Sequence, residues 1–242
     1  MDRMRVTLAE GNRMMEDLIP ILQGCRLFSG LTEDCIRREV LPRGTVRSFS
    51  GSQALIEPQQ QVDWFAVLLE GRVRITQLFA DGASSLMGVL RPSYALGADL
   101  LCTDSRRSPY YAIADGSGRM AVFSGELLEA SGGLSEEART LLWRHLTVLL
   151  SQENMRKHYR LAILSQRGVR ERVLVYLTMQ AGKKGTSRFR IPFTREELAD
   201  FLCVNRSALS HELGKMEREG LIRFRKNEFT LLSEGKDRSG WS

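Results

Sequence analysis

Apolar positions along this chain change their period twice. Residues 41–123 are written in short runs punctuated by Gly44, Gly51, Gly71, Gly82, Gly88 and Gly97. The segment FAVLLEGRVRITQLFADGASSLMGVL contains alternating stretches, including Val73 and Ile75, between turn signals at Glu70-Gly71 and Asp81-Gly82. An antiparallel roll or barrel following a short helical start is the expectation. From Ser135 the texture changes, because the 31 residues SEEARTLLWRHLTVLLSQENMRKHYRLAILS contain neither Pro nor Gly and open with Ser followed by acids. That predicts one long helix. Two partly apolar seams can be drawn on it at spacings of 3 and 4. One is Leu141, His145, Val148, Gln152, Met155, Tyr159 and Ala162; the other is Trp143, Thr147, Leu150, Asn154, His158 and Leu161. A helix with two such stripes can cover its own domain with one and meet a second copy with the other, so a homodimer is expected.

After Gly168 the pattern becomes helix, strand, helix, helix, hairpin. RERVLVYLTMQAGK is a helix ending near Gly182, and FRIPF is a short strand. TREELADFL opens with Thr194 and Glu197 at capping-box spacing. Residues 203–205 form a tight connection in which Cys203 is expected to be small and buried, and Asn205 is a suitable cap for the next helix. That helix places Leu209, Leu213 and Met216 on one face, stops at Gly220, and is followed by LIRFRKNEFTLL, a hairpin turning at Lys226-Asn227. The fold class is therefore α+β, with an N-terminal antiparallel β-roll (jelly-roll-like), a long dimerisation helix and a C-terminal winged helix-turn-helix. Expected boundaries are 1–134, 135–165 and 166–242.

Composition adds a partner. With 43% hydrophobic and 26% charged residues in 242, the chain has the makeup of two modest globular domains. Apolar runs are short and the N-terminus is amphipathic and acid-containing, so a soluble, cytoplasmic protein without a membrane partner is expected. Lys plus Arg and Asp plus Glu balance at 19 each over residues 1–165, whereas residues 166–242 hold 16 against 10. A cationic excess gathered in one small domain points to a polyanion, with double-stranded DNA in the lead. In a winged helix-turn-helix the second helix enters the major groove. Arg206 is the expected bidentate reader of guanine, with Asn205, Ser207, Ser210, His211 and Lys215 beside it on the exposed face. Thr194 and Arg195 at the start of the preceding helix, and Arg223, Arg225 and Lys226 on the wing, complete the expected DNA-binding set.

Other chemistry is sparse. Cys25, Cys35, Cys102 and Cys203 form no CxxC pair, and His145, His158 and His211 form no i, i+4 pair, so no metal site is expected. Nor does the chain carry a Walker loop or nucleophile elbow, and no enzyme is expected. The rival enzymatic reading is a thiol enzyme using Cys102 with a histidine, which needs a low-pKa thiol.

The order of these parts resembles the CRP/FNR family of bacterial transcription regulators over nearly the whole chain. The resemblance is carried by CRLFSGLTEDCI, FAVLLEGRVRI, RLAILSQRGVRERVLVYL and, most specifically, FTREELADFLCVNRSALSHELGKMEREGLI. It implies a cyclic-nucleotide-binding-like roll, a dimerisation helix, a hinge near Ser165, a two-fold symmetric operator, and an effector at the roll and dimer helix that alters presentation of the winged domains. RNA polymerase is a further partner in such a system. In cyclic-nucleotide binders of this kind a Gly-Glu pair holds the ribose and an Arg-Ser pair the phosphate. Here Gly97, Arg107 and Ser108 match, but Ala98 stands in place of the Glu, and Asp99 should point to the other side of an extended segment. Asn154 on the long helix completes the implied effector set. The effector is thus unknown: a small anionic molecule other than cyclic AMP is expected, with Tyr94, Tyr110 and Tyr111 as an alternative aromatic lining. Haem through His145 or His158, or an iron-sulfur cluster using Cys25, are weaker cofactor readings. The remaining rivals are a nucleotide-binding regulatory subunit that touches no DNA and a haem or redox sensor.

Overall fold

The computed structural model describes residues 6–7, 18–78 and 84–232, so the Asp81-Gly82 turn lies outside the described residues. They divide into two compact units: one holds residues of 1–83 and 87–153, the other those of 84–86 and 154–242. Among the described residues no helix is long and apolar enough to cross a membrane.

Strands β1 (Val6–Thr7), β2 (Gly44–Phe49), β3 (Ala54–Ile56), β4 (Trp64–Glu70), β5 (Val73–Leu78), β6 (Ser84–Leu90), β7 (Ala95–Leu96), β8 (Tyr111–Ala114) and β9 (Gly118–Ser124) form two sheets, ordered β1-β2-β9-β4-β7 and β3-β8-β5-β6. The expected roll is present, and β4 shows why it holds. Five consecutive residues, Phe65 to Leu69, are buried, which on a pleated strand means that both faces are covered. Phe65, Val67 and Leu69 join a core with α1 (Leu18–Gly24), the turns of residues 33–43 and the long helix; Ala66 and Leu68 join a second core with Ile56, Val73, Ala112 and Val122. In the first core, Phe65, Phe28 and Phe123 meet with ring centroids 5.3–6.1 Å apart, inside the range of favourable aromatic pairing.

The long helix, α2, runs Glu136–Leu164 as one 29-residue element. Its buried stripe differs from both seams read from the sequence. Ala138, Leu142 and Leu146 are the fully covered positions in its first half, with Leu141 and Leu150 only partly buried against the same core. Each seam supplies only one partly buried side chain, Leu141 or Leu150, to this core and includes polar residues. The stripe between them, Ala-Leu-Leu, has none and takes the core contact. Both seams keep exposed apolar side chains: Met155 (49%) and Tyr159 (49%) on the first, Trp143 (43%) and Leu161 (65%) on the second.

Helix α3 (Val169–Lys184) ends two residues beyond Gly182. The actual stop is Gly185, left-handed at φ +63°, where the Thr186 amide donates back to the Ala181 carbonyl at 3.2 Å, a Schellman closure. Gly182 is exposed within the last turn, where its helical cost of about 1 kcal/mol is tolerated.

Candidate nucleic-acid interface

The second unit presents two helices and a hairpin. Helix α4 (Arg195–Phe201) starts at the expected capping box: Thr194 Oγ1 accepts from the Glu197 amide at 3.2 Å, and the Glu197 carboxylate accepts from the Thr194 amide at 2.7 Å. The chain then turns through Cys203 at φ +52°. Cys203 is exposed as a residue, not buried, although its Sγ lies 3.2 Å from the Ser85 hydroxyl; Leu202 occupies the interior beside it. Arg172 of α3 holds this turn from below, donating Nη1 to the carbonyls of Leu202 at 3.0 Å and Cys203 at 3.2 Å, and Nε to Gln166 O at 2.9 Å.

Helix α5 (Arg206–Arg218) follows. Leu209, Leu213 and Met216 are 0% exposed, and Arg206, Ser207, Ser210, His211 and Lys215 are exposed on the other face. Asn205 caps it, Oδ1 accepting from the Ser207 amide at 2.8 Å and the Ser207 hydroxyl at 2.6 Å. Asn205→Ala should therefore lower the stability of this unit by about 1 kcal/mol, the usual worth of a side-chain cap. Its thermal melt measures this, and a transition superimposed on wild type would show that the cap carries no stability.

The wing is β11 (Ile222–Arg225) paired with β12 (Glu228–Leu231), which also pairs with β10 (Arg188–Arg190). It turns at Lys226-Asn227 as read from the sequence, with Lys226 at φ +55°. Arg223, Arg225 and Lys226 are exposed. Arg195 behaves differently from its neighbours in the expected DNA set. Its guanidinium lies 4.8 Å from the Phe224 ring centroid and 5.6 Å from that of Phe229, and donates to the Lys226 carbonyl at 3.3 Å. Burial there lowers its pKa from the ordinary value. Arg195 thus ties the wing to α4, a cation–π role that no local pattern announced.

The implied effector set lies mostly in the first unit. Gly97 has φ +81°, and a Cβ there would meet the Trp64 carbonyl at 3.0 Å, so the backbone alone requires glycine. Ala98 is buried. Asp99 is helical at φ −67°, opening a 3₁₀ turn, so strand alternation does not govern its direction. Its carboxylate accepts from the Tyr110 hydroxyl at 2.9 Å, and burial followed by the Asp99 charge pushes that phenol well above its ordinary pKa. Arg107 donates to the Gln59 carbonyl at 2.7 Å, and the buried Ser108 hydroxyl donates to Tyr110 O at 2.8 Å. Asp99, Arg107 and Ser108 thus each have one partner within the roll, and Arg107 stays exposed. Tyr94 is 44% exposed. Asn154 is exposed and belongs to the second unit.

Redox and metal readings gain no geometry. Among the described residues no three His, Cys, Asp or Glu side chains gather as a metal set. Cys25 is buried and its thiol is pushed up to about 11 by that burial, the reverse of the thiolate a cluster requires. His145 Nδ1 sits 3.2 Å from the Leu27 carbonyl, and His158 is exposed. Burial and the nearby Asp99 charge raise the Cys102 pKa, opposite to the shift a nucleophilic thiol needs.

Comparison with known proteins matches residues 46–130 to a model described as the cyclic nucleotide-binding domain and residues 171–236 to the Crp-like helix-turn-helix domain. Together these span well over half the chain. The nitrogen fixation regulation protein FixK of Bradyrhizobium diazoefficiens is 25% identical over 193 residues, 78% of each chain. The transcriptional activator protein FnrL of Cereibacter sphaeroides is 24% identical over 211 residues, covering 78% of this chain and 76% of its own. Among solved structures, the c-di-GMP responsive global regulator CLP of Xanthomonas campestris superposes with a TM-score of 0.64 at 18% identity, covering 84% of this chain and all (100%) of that one. FixK2 of Bradyrhizobium japonicum gives 0.58 at 17% identity, covering 81% and 95%.

Proposed function

We infer the role of this protein from its kinship: the chain belongs to the CRP/FNR family of transcription regulators. It is a DNA-binding regulator of transcription, and its family is one of regulators, not enzymes. The finer reading is that it works in the cytoplasm as a homodimer, with α2 as the dimerisation helix between an effector-sensing roll (1–134) and a DNA-binding domain (166–242). Each protomer lays its α5 helix against one half of a two-fold symmetric operator. The observation that carries this reading is the division of α5 into a fully buried Leu209/Leu213/Met216 face and an exposed Arg206/Ser207/Ser210/His211/Lys215 face. Self-association is supported by the large apolar side chains left open on α2, Met155 and Tyr159 on one stripe and Leu161 on the other.

The effector is a small molecule other than cyclic AMP. Arg107 and Asp99 already have partners inside the roll, and Ala98 offers no carboxylate for a ribose. Any effector acts by preferring one arrangement of dimer helix and hinge. By likeness to an activator, RNA polymerase is the further partner.

Selection of bound duplexes from a random pool, with and without cyclic AMP, tests this. A two-fold symmetric motif should emerge in both arms. Affinity for it should fall steeply with salt, by about 10³- to 10⁵-fold between 50 and 200 mM if 6–10 phosphates are contacted. Enrichment of no duplex, or salt-independent binding, would sink the reading.

A further inference from the structure

The flank of the DNA-reading segment, beside its exposed cationic face, carries carboxylates. Glu212 lies within α5, and Glu219 caps its C-terminus. Placed beside a polyanion, two such charges weaken binding by simple repulsion. Both converge on one residue. Arg170, in the first turn of α3, donates Nε to Glu212 Oε1 at 2.6 Å, Nη1 to Glu219 Oε2 at 2.7 Å and Nη2 to Glu219 Oε1 at 3.0 Å. The Glu219 contact is a parallel two-bond fork, the strongest and most directional form of ion pair between side chains. The side chains of Arg170 and Glu212 are 24% and 19% exposed, so the pair is partly shielded from water and salt.

Two residues further along the same helical turn, Arg172 grips the carbonyls of Leu202 and Cys203 and, on the hinge side, that of Gln166. The first turn of α3 therefore holds the Gln166 carbonyl before it, the connection between α4 and α5, and the middle and C-terminal cap of α5. The buried apolar residues of α5 are Leu209, Leu213 and Met216; beside the Phe224 amide bond to Glu217, the three Arg170 bonds at Glu212 and Glu219 are the polar ties that fix its rotation. A groove-docked helix reads bases only if its side chains stay in register with their edges.

We propose that Arg170 is a positioning residue for operator reading, and that Glu212 and Glu219 strengthen specific DNA binding, despite their charge, by fixing the recognition helix through it. This deepens the DNA-binding reading above and rests on it. Electrostatics and positioning predict opposite signs. Glu212→Gln/Glu219→Gln removes two negative charges per protomer, so repulsion alone would tighten binding to every duplex. The clasp instead predicts weaker binding to the selected operator, on the order of tenfold, with tighter binding to random duplex, so that the specificity ratio collapses. Arg170→Lys keeps the net charge but cannot form the fork, and should lose operator affinity in the same direction without changing the slope of affinity against salt.

The experiment measures operator and random-duplex affinity at two salt concentrations for wild type and both variants. In parallel, amide hydrogen exchange of residues 209–216 is followed in the DNA-free full-length proteins. Exchange should quicken on the order of tenfold in both variants, with the melt of the unit nearly unchanged. Operator binding as tight as or tighter than wild type in the double Gln variant overturns the clasp. Operator affinity left unchanged in Arg170→Lys also overturns it, because a lysine cannot form the two-bond fork to Glu219. Unchanged exchange overturns it even in a protein that selects no operator, so failure of the clasp is distinguishable from failure of the DNA-binding reading.

Discussion

Arg206→Ala is expected to produce the largest single loss of operator binding. Arg206 stands at the first position of α5, exposed, with its backbone fixed by the Asn205 cap one residue before it. A guanidinium there can reach the O6 and N7 acceptors of one guanine, a contact of about 1–3 kcal/mol. Two protomers on one operator double that, giving about 2–6 kcal/mol, or a loss between about 30-fold and 10⁴-fold. The variant should also stop discriminating at one base pair in each half-site, because the lost energy belongs to a base edge. Its affinity for random duplex should change little. Quantitative binding to operators mutated one pair at a time is the measurement. A uniform loss across all sequences would reassign Arg206 to the phosphate backbone.

The largest stability effect is expected at Phe65→Ala. Phe65 is 0% exposed and belongs to the ring triad with Phe28 and Phe123. Truncating it leaves a cavity against a packed face of β4, and such changes cost about 3–5 kcal/mol. The neighbouring Trp64 and Trp143, both in the first unit, supply a fluorescence signal for urea unfolding of that unit. A loss below about 1.5 kcal/mol would mean that the roll relaxes around the gap and that this triad is not a central part of its core. Because the two units unfold as separate bodies if their coupling is weak, the fluorescence transition is to be compared with total helix signal before a single free energy is assigned.

Much of the candidate site was legible from spacing. The Thr194/Glu197 box, the Asn205 cap, the Leu209/Leu213/Met216 stripe and the Lys226-Asn227 turn each involve residues no more than seven apart, and each stands where expected. What escaped was of another kind. The two seams of α2 were drawn by period, yet in the first half of the helix the core took Ala138, Leu142 and Leu146 between them, the stripe that carries no polar group over those residues. The end of α3 moved from Gly182 to Gly185 because a glycine stops a helix only where it turns left-handed, and two stood within four residues. Arg170 and Arg172 lie in the basic run RGVRER, a weak signal that says cationic and nothing about what is held.

The chain's own order of residues thus determined the elements, their caps, the sided character of α5 and the cationic bias of the last third. These follow from i, i+3 and i+4 geometry and from local charge, which need no tertiary partner. Tertiary structure alone decided the work of the arginines. Arg195 is bonded to Lys226, 31 residues away, Arg107 to Gln59, 48 away, and Arg170 to Glu219, 49 away. Such pairings depend on which elements the apolar faces bring side by side. A long cationic side chain is indifferent to its sequence neighbours, and bonds whatever oxygen the packed core leaves within its reach.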